Sequence, residues 1–224
     1  MKITWLGQAG LLFETDNKKI VIDPYLSNSC LKLNPSSYRR VEVDENLLKL
    51  EPDIVICTHN HQDHYDEETL DNYLKTDKSV LCIVPPSCFS AIRKYGKQHN
   101  YVYFPRHTVW TEGNIKFTAV KALHSDPEAI GIILEAEGKT YYITGDTLYN
   151  TEIFEDIPQN IDVLFMPVNG VGNNMNFSDG ARFADKINAK KVVPMHLGLM
   201  DDRSVTDFKY DTAVYPEFYK EIKL

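Results

Sequence analysis

The sequence predicts an α/β protein in which two mixed β-sheets pack face to face and carry helices on the outside. Short apolar runs typical of strands precede amphipathic helical segments, and this order occurs twice along the 224 residues. The composition between the two rounds is not that of a linker. We therefore predict a single domain over residues 1–224, built from two halves of about 1–113 and 114–224.

The first half contains five predicted strands and two predicted helices. The strands are apolar runs at residues 3–6, 11–14, 19–22, 53–57 and 79–84. The first two flank Gly7-Gln8-Ala9-Gly10, a turn sequence that favours a hairpin. Asp66 is predicted to cap a helix that continues to about residue 74. A second helix is predicted over residues 87–95, where Gly96 terminates it.

The second half repeats this organisation with five more strands and one helix. The strands are predicted at residues 115–120, 131–136, 139–143, 161–167 and 190–194. Glu137-Gly138 joins two of them as a hairpin turn. Ser178 is predicted to cap a helix over residues 179–187, because Phe183, Ala184 and Ile187 have the spacing of one apolar helix face.

Composition and charge narrow the class of function. Hydrophobic residues make up 43% of the chain and charged residues 25%, which is typical of a globular protein. The net charge of −8 argues against nucleic-acid binding, which requires a basic surface, and no apolar run is long enough to cross a bilayer. The four cysteines show no metal spacing and are interpreted as buried reduced thiols. Without an export signal, we expect a cytoplasmic protein.

The densest cluster of metal-binding side chains is the run Thr58-His59-Asn60-His61-Gln62-Asp63-His64, directly after a predicted strand. Three imidazoles and one carboxylate within six positions have no role in a hydrophobic core. Neutral histidine nitrogens and carboxylate oxygens bind zinc, iron and manganese, and a short loop directs several of them to one point. The run therefore predicts a metal site, with a solvated polar loop as the alternative interpretation.

Three more candidate ligands follow predicted strands by a few residues: His124, Asp146 and His196. If these strands end at one edge of the core, their loops converge on one site. Each residue also has an ordinary interpretation when it is considered singly. His124 suits a surface histidine, Asp146 a turn residue, and His196 a hydrogen-bonded core histidine.

Together the candidates provide five imidazoles and two carboxylates, which is more than one tetrahedral site needs. The full set is His59, His61, Asp63, His64, His124, Asp146 and His196. It suits two metal ions that share a bridging carboxylate and keep open positions for water and substrate. We expect two divalent ions, zinc foremost with manganese or iron as alternatives, and one tightly held ion as the alternative occupancy.

The order and spacing of these residues resemble the metallo-β-lactamase superfamily. The resemblance rests on the H-x-H-x-D-H run, the later lone His124, Gly145-Asp146-Thr147 and Met195-His196, and it extends back to Trp5-Leu6-Gly7-Gln8-Ala9-Gly10. It implies a four-layer αβ/βα sandwich. It also implies a division of the ligands, with His59, His61 and His124 on one metal, Asp63, His64 and His196 on the other, and Asp146 between them.

Within the superfamily, the chain resembles the lactonase-like branch that includes L-ascorbate-6-phosphate lactonase. The residues that carry this resemblance are Trp5 to Gly10, Pro167-Val168-Asn169-Gly170 and Gly172-Asn173-Asn174-Met175. The chain has Val171 where that lactonase family tends to carry arginine after Asn-Gly. It is also much shorter, and the segment after His196 differs.

Candidate substrate contacts are Asn169, Asn173, Asn174 and Arg182. The asparagines are either turn residues that tolerate positive φ or hydrogen-bonding groups at the metal rim. For Arg182, a solvated helix face is the alternative to binding an anionic substrate. Residues 27–46 and 200–215 are expected to shape the pocket. His99 is interpreted as exposed, and no role is assigned to His107.

The resemblance and the ligand set predict a metal-dependent hydrolase. A metal-bound hydroxide would attack an ester-like bond of a small molecule, as in a lactonase. Asp63 would orient or deprotonate the nucleophile, and Asp146 would fix the metal separation. His61 stands where redox di-iron members of the superfamily usually carry a carboxylate, which favours hydrolysis. The alternatives are a phosphodiesterase for a nucleotide or phospholipid headgroup and a non-enzymatic metal-binding domain, and a homo-oligomer stays open.

Overall fold

The first of two β-sheets is formed by the N-terminal part of the chain. The computed structural model describes residues 1–15 and 17–224. The strands of this sheet are, in spatial order, β1 (Lys2–Gly7), β2 (Gly10–Glu14), β3 (Lys19–Ile22), β4 (Ile54–Ile56), β5 (Leu81–Val84) and β6 (Asn100–Tyr103). Strands β1 to β3 are antiparallel, whereas β3 to β6 run parallel. The sheet is therefore mixed.

The second sheet has the same plan in the rest of the chain. Its strands are β7 (Val109–Glu112), β8 (Ile115–Lys121), β9 (Ile130–Ala136), β10 (Lys139–Ile143), β11 (Val163–Pro167) and β12 (Lys191–Met195). Strands β7 to β10 are antiparallel, and β10 to β12 are parallel. Parallel neighbours end at a common edge, so loops that follow β10, β11 and β12 emerge together.

Helices cover the outer faces of both sheets. They are α1 (Glu67–Leu74), α2 (Pro86–Ile92) and α3 (Phe177–Ile187), and short 3₁₀ turns lie at Ser29–Lys32, Leu47–Lys49, Arg93–Tyr95, Thr151–Glu155 and Val205–Asp207. The longest helix of the described residues is α3 with 11 residues, and none is long and apolar enough to cross a membrane.

Alternating side chains of the first sheet pack in opposite directions. Phe13 of β2 lies edge-on to Tyr141 of β10 and Phe165 of β11, with ring centroids 5.6 and 5.8 Å apart. Its neighbour Leu12 instead belongs to a buried cluster with Leu70 of α1. Successive residues of a strand point to opposite faces, so one face meets the second sheet and the other meets the helices.

The second sheet is covered in the same way. Tyr141 faces the first sheet, whereas the adjacent Tyr142 lies near Phe183 of α3, with ring centroids 6.2 Å apart. All three side chains are buried. The predicted fold class, two mixed sheets face to face with helices outside, is confirmed. The boundaries of the single domain and of its two halves stay predictions.

Several local features differ from the sequence predictions. Strands β6 and β7 were not predicted, because they are outer strands with mostly exposed side chains and no apolar run. The side chain that caps α3 belongs to Asn176, which accepts a hydrogen bond from the backbone N–H of Asp179. Asp66 makes no capping bond, since its carboxylate accepts hydrogen bonds from the hydroxyls of Ser29 and Thr69. The four cysteines are free and buried, as predicted.

Candidate metal centre

The loop after β4 presents four of the candidate ligands. Its backbone turns at His61, whose carbonyl accepts hydrogen bonds from the N–H groups of His64 and Tyr65 at 3.0 and 2.7 Å. This turn reverses the chain within the motif. His59 and His64 are fully buried, whereas His61 and Asp63 are partly exposed. The loop therefore reaches from the core to the surface of the molecule.

A first trio of ligand groups consists of His59, His61 and His124. The three rings lie with their centroids 4.6 to 4.7 Å apart. His124 Nε2 is 3.0 Å from His61 Nδ1. His124 comes from the loop after β8 in the other sheet. The packing of the two sheets thus brings together histidines that are far apart in the sequence.

A second trio consists of Asp63, His64 and His196. Asp63 Oδ2 lies 3.1 Å from His196 Nε2 and 3.8 Å from His64 Nε2. Asp146 lies between the two trios. Its Oδ1 is 3.3 Å from His64 Nε2 and 3.4 Å from His196 Nε2, and its Oδ2 is 3.9 Å from His124 Nε2. One carboxylate thus faces both trios, as a bridging ligand must.

The donor atoms fit metal ions by distance and by their unmet hydrogen bonds. Within each trio, one potential ligand atom from each residue lies within 4.8 Å of the others. His59 Nε2, His64 Nε2 and Asp146 Oδ1 are buried and have no hydrogen-bond partner. A buried polar atom without a partner is costly, and cations held by the two trios and Asp146 would satisfy all three. Imidazole and carboxylate donors suit zinc, manganese or iron.

Asp23 orients two of the candidate ligands and was not predicted from the sequence. Its Oδ2 accepts from His64 Nδ1 at 2.8 Å and from the Thr58 hydroxyl at 2.6 Å, while Oδ1 accepts from the Thr58 N–H. The Thr58 hydroxyl is in turn 3.0 Å from His59 Nδ1. These contacts orient the imidazoles with Nε2 toward the centre. Asp23 directly follows β3, so the strand-end criterion applied to Asp146 would have found it.

Gln8 and Asn169 hold His196. Gln8 Nε2 lies 2.8 Å from Asp63 Oδ2 and 3.0 Å from His196 Nδ1, and Asn169 Nδ2 also lies 3.0 Å from that nitrogen. The backbone N–H of His196 donates to the Gln8 carbonyl. If His196 Nε2 binds a metal ion, the ring proton lies on Nδ1. Asn169 Oδ1 is buried and has no partner among the described residues, and rotation of the carboxamide would let it accept a hydrogen bond from that Nδ1–H.

The asparagine-rich loop meets the centre at two further points. Asn174 Nδ2 donates to Asp146 Oδ2 at 2.8 Å, and Asn174 Oδ1 accepts from the Thr147 N–H. Asn173 contributes its carbonyl oxygen, which accepts from His124 Nδ1 at 3.1 Å. Three of the predicted substrate contacts therefore lie beside the ligand set, and they orient ligands directly.

The pKa values of the histidines move in opposite directions in the two trios. Burial lowers the pKa of His59 and of His124 below the ordinary value, so these rings are neutral at pH 7. Burial also lowers the pKa of His64 and of His196, but the combined charges and hydrogen bonds of Asp146 and the neighbouring carboxylates outweigh it. The pKa of His64 is raised well above its ordinary value, and that of His196 is raised to about 10. Negative charge thus concentrates around the second trio.

The centre forms the floor of an open cavity of about 510 Å³, which is within the size range of small-molecule sites. Asn34 and Ser37 from one loop, Val171 from another, and Met200 and Arg203 from a third contribute to its walls. Residues 27–46 and 200–215 thus both contribute to the cavity, as predicted.

The structure does not bring Arg182 to this cavity. Its guanidinium carbon lies 4.3 Å from the centroid of the Tyr149 ring, and Nη1 is 3.3 Å from Asp179 Oδ1. The proposed anion contact at Arg182 is therefore wrong, because α3 directs that residue to its solvated face.

His99 is buried and not exposed as predicted. Its Nδ1 accepts a hydrogen bond from the Val80 N–H, and its Nε2 contacts the Leu74 carbonyl.

The backbone around the ligands adopts left-handed conformations. His196 has φ 70°, Asp23 has φ 47° and Gln8 has φ 51°. Such values cost non-glycine residues about 1–3 kcal/mol each and cluster at functional sites. Gly145, which precedes Asp146, has φ 60°, and a Cβ there would lie 2.8 Å from the Ile130 carbonyl oxygen. Only glycine allows this close passage of the loop that carries Asp146.

Comparison with known proteins gives concordant matches over nearly the whole chain. The beta-lactamase superfamily domain matches residues 2–196. The UPF0173 metal-dependent hydrolase of Ligilactobacillus salivarius is 32% identical over 236 aligned positions, which cover 99% of this chain and 97% of that protein.

Solved structures show the same fold. Igni18, a metallo hydrolase from the archaeon Ignicoccus hospitalis, aligns with a TM-score of 0.74 at 19% identity over 99% of this chain and 97% of that one. The isothiocyanate hydrolase from Delia radicum gut bacteria aligns with a TM-score of 0.75 at 20% identity, covering 100% and 99% of the two chains. At these identities the likeness concerns the fold alone.

Proposed function

Because the chain belongs to the beta-lactamase superfamily and to its UPF0173 family of metal-dependent hydrolases, we propose that its centre binds two divalent ions and hydrolyses an ester-like bond. The observation that carries this proposal is the pair of trios on either side of Asp146, with three buried donor atoms that have no hydrogen-bond partner among the described residues. We assign His59, His61 and His124 to one ion and Asp63, His64 and His196 to the other.

When bound, the ions lower the pKa of water and polarise the substrate oxygen that becomes negatively charged. The protein supplies the geometry for this chemistry. Asp146 keeps both trios at a fixed separation, and Asn174 holds one oxygen of its carboxylate by a hydrogen bond of 2.8 Å. Asp23 and Thr58 fix the tautomers of His64 and His59, so that Nε2 of each ring stays free to bind a metal ion.

Asp63 is placed to orient the attacking water. It lines the cavity and its side chain retains 16% exposure, while Gln8 holds Oδ2. Burial raises the pKa of Asp63, but the charges of His64 and His196 outweigh burial and hold the pKa below its ordinary value. An ionised carboxylate accepts a hydrogen bond from water and aims its lone pair, which suits an orienting group better than a strong base.

The lactonase-like branch is the finer form of this proposal. Support comes from Trp5 to Gly10 and from Asn169-Gly170, which carry that resemblance and which lie against the candidate centre through Gln8 and Asn169. A lactone presents a carbonyl oxygen to the ions and an acyl carbon to the water. A phosphodiester presents a phosphoryl oxygen to the ions and an electrophilic phosphorus to the water, so it is the competing substrate class.

Metal analysis and a substrate panel test the proposal. Protein purified without chelator is expected to hold close to two equivalents of zinc, manganese or iron, and His59→Ala is expected to hold less. His107→Ala is the matched control, because His107 is exposed and contacts Asp156 away from the centre. The absence of bound metal in the wild-type protein would refute the proposed centre.

The panel consists of δ-lactones, p-nitrophenyl esters, bis-p-nitrophenyl phosphate and an aryl isothiocyanate, assayed with the metal-loaded protein. We expect the highest kcat/KM with a lactone or a carboxylic ester, and loss of that activity in His59→Ala. A preference for the phosphodiester would replace the lactonase-like proposal with the phosphodiesterase. Hydrolysis of the isothiocyanate alone would replace both.

A further inference from the structure

The two most exposed large apolar side chains of the described residues line the same cavity. Leu33 is 73% exposed and Val171 is 62% exposed, and both contribute to the walls above the candidate metal centre. Met200, which is partly buried, lies in the same lining. Isolated exposed apolar residues are common, but three that surround one concave site provide a surface that gains free energy when an apolar group covers it.

One arginine of the cavity lining could bind an anion, but it already forms an ion pair with an aspartate. Among the described lining residues, Arg203 is the only lysine or arginine. Its Nη2 and Nε lie 2.6 and 3.2 Å from Asp201 Oδ2, and its Nη1 donates to the carbonyl oxygen of Asn169. Arg203 therefore fixes the loop that carries Asn169, and its charge is neutralised by Asp201 within the same wall.

Cations in the adjoining loop are engaged as well. Lys32 forms an ion pair with Glu68. Arg40 pairs with Asp202, and Arg39 donates to the carbonyl oxygen of Tyr25. A carboxylate or phosphate remote from the metals would thus meet no unpaired lysine or arginine among the described residues that line the cavity. The net charge of −8 adds a further cost for such an anion.

We propose that the substrate carries an uncharged, apolar arm beside its reacting group, and that this arm lies against Leu33, Val171 and Met200. The inference rests on the proposed function and deepens it by naming the substrate class: neutral lactones or esters with an alkyl or acyl chain. Phosphosugar lactones and nucleotides fall outside this class, because their remote phosphate would have to lie in a cavity lining that offers it no unpaired lysine or arginine.

Hydroxamates test the arm separately from hydrolysis, because a hydroxamate binds metal ions whichever bond the enzyme breaks. Three probes share this group: acetohydroxamate, hexanohydroxamate and the monohydroxamate of adipic acid, which ends in a carboxylate. Calorimetry with zinc-loaded protein measures their Kd values. We expect hexanohydroxamate to bind about tenfold more tightly than acetohydroxamate, because its extra methylenes are partly buried at the rim. The adipic probe is expected to bind no more tightly than acetohydroxamate.

Single and double variants of Leu33 and Val171 test whether these two side chains cause the tighter binding of the longer chain. Leu33→Ser and Val171→Ser are each expected to reduce the advantage of the hexanoyl chain by at least about twofold, and the double variant to remove it. Binding of acetohydroxamate should stay unchanged in all of them. Leu31→Ser and Val109→Ser are the matched controls, since both residues are exposed and lie outside the cavity lining. Val171→Lys is expected to reverse the order and favour the adipic probe.

The outcomes separate this inference from the function on which it rests. Chain-dependent binding without hydrolysis of any ester or lactone would support the apolar arm and refute the proposed reaction. Ester hydrolysis with equal affinity for all three probes, or tighter binding of the adipic probe to the wild-type protein, would overturn the arm and leave the reaction intact. Failure of all three probes to bind would overturn both the arm and the metal centre.

Discussion

The two trios of the candidate centre are built in different ways. The first, His59, His61 and His124, contains imidazoles alone, and two of them lie at the cavity surface. The second includes the carboxylate of Asp63 and two buried histidines. The carboxylate of Asp63 thus distinguishes the second trio from the first, while each trio contributes two side chains to the cavity lining.

The hydrogen-bond partners of the two trios also differ. His196 contacts the carboxamides of Gln8 and Asn169, and His64 contacts the carboxylate of Asp23. In the first trio, His61 has only the Ser125 hydroxyl at 3.2 Å besides the neighbouring His124 ring. A centre of this kind combines one position that is held firmly with one that exchanges ligands more easily. We expect the second trio to bind its ion more tightly.

The largest effect is expected at Asp146, where the two trios meet. Asp146→Asn should lower kcat/KM for ester hydrolysis by about 10³-fold, because both ions lose an anionic ligand. Metal content should fall below one equivalent. Asp162→Asn is the control, since Asp162 pairs with Lys190 away from the centre. Retention of two ions by Asp146→Asn would show that this carboxylate is not shared.

The next effect compares one histidine from each trio. His64→Ala should destabilise the fold by about 3 kcal/mol, because it leaves the buried Asp23 carboxylate without its imidazole partner. His61→Ala should cost less than about 1 kcal/mol, since His61 is partly exposed. Urea unfolding of the metal-free proteins measures both values. Equal destabilisation would contradict the proposed difference between the partly exposed His61 and the buried His64.

A smaller effect is expected from the residue that orients His196. Asn169→Ala should weaken binding of the second ion about 10- to 100-fold and leave the first ion in place. Asn173→Ala is a control from the same loop, because Asn173 contacts His124 through its backbone carbonyl, which the substitution keeps. Competition with a chromogenic chelator gives the two affinities. If Asn173→Ala has the larger effect, Asn169 does not orient the ligand.

The last effect concerns the approach of the Asp146 loop to the core. Gly145→Ala should cost about 2–3 kcal/mol, since φ is positive and the new Cβ would lie 2.8 Å from a carbonyl oxygen. Gly138 also has positive φ, 73°, but no atom of the described residues lies within 4 Å of the Cβ that Gly138→Ala would add. We expect it to cost about 1 kcal/mol. Thermal unfolding of the two variants isolates the steric part, and equal melting temperatures would contradict it.

Much of the fold could be predicted because its strands are covered on both faces. Residues 54–57 and 163–167 are apolar throughout, and such runs are visible without knowledge of the partners. Strands β6 and β7 were missed because outer strands need not be apolar, and their pairing depends on neighbours distant in the sequence. The cap of α3 was placed two residues late, since Asn176 and Ser178 are both good capping residues.

The candidate ligands could be predicted for a similar local reason. Each follows an apolar strand, and the chemistry of imidazole and carboxylate is a property of the residue itself. The supporting contacts of Gln8 and Asn169 could not, because a carboxamide becomes a support only when folding places it beside a ligand. Arg182 and Arg203 show the same limit. Both are arginines near polar loops, and only the packing of α3 turns the first away from the cavity.

The sequence by itself thus determined the fold class, the family and the set of candidate metal ligands, since these depend on residue types and on alternation along short segments. The tertiary structure decided how the ligands divide into two trios, which side chains support them, and that Leu33 and Val171 face the same cavity. Those features depend on the directions of side chains from loops of two different sheets. Such directions are set by long-range packing, which no local pattern encodes.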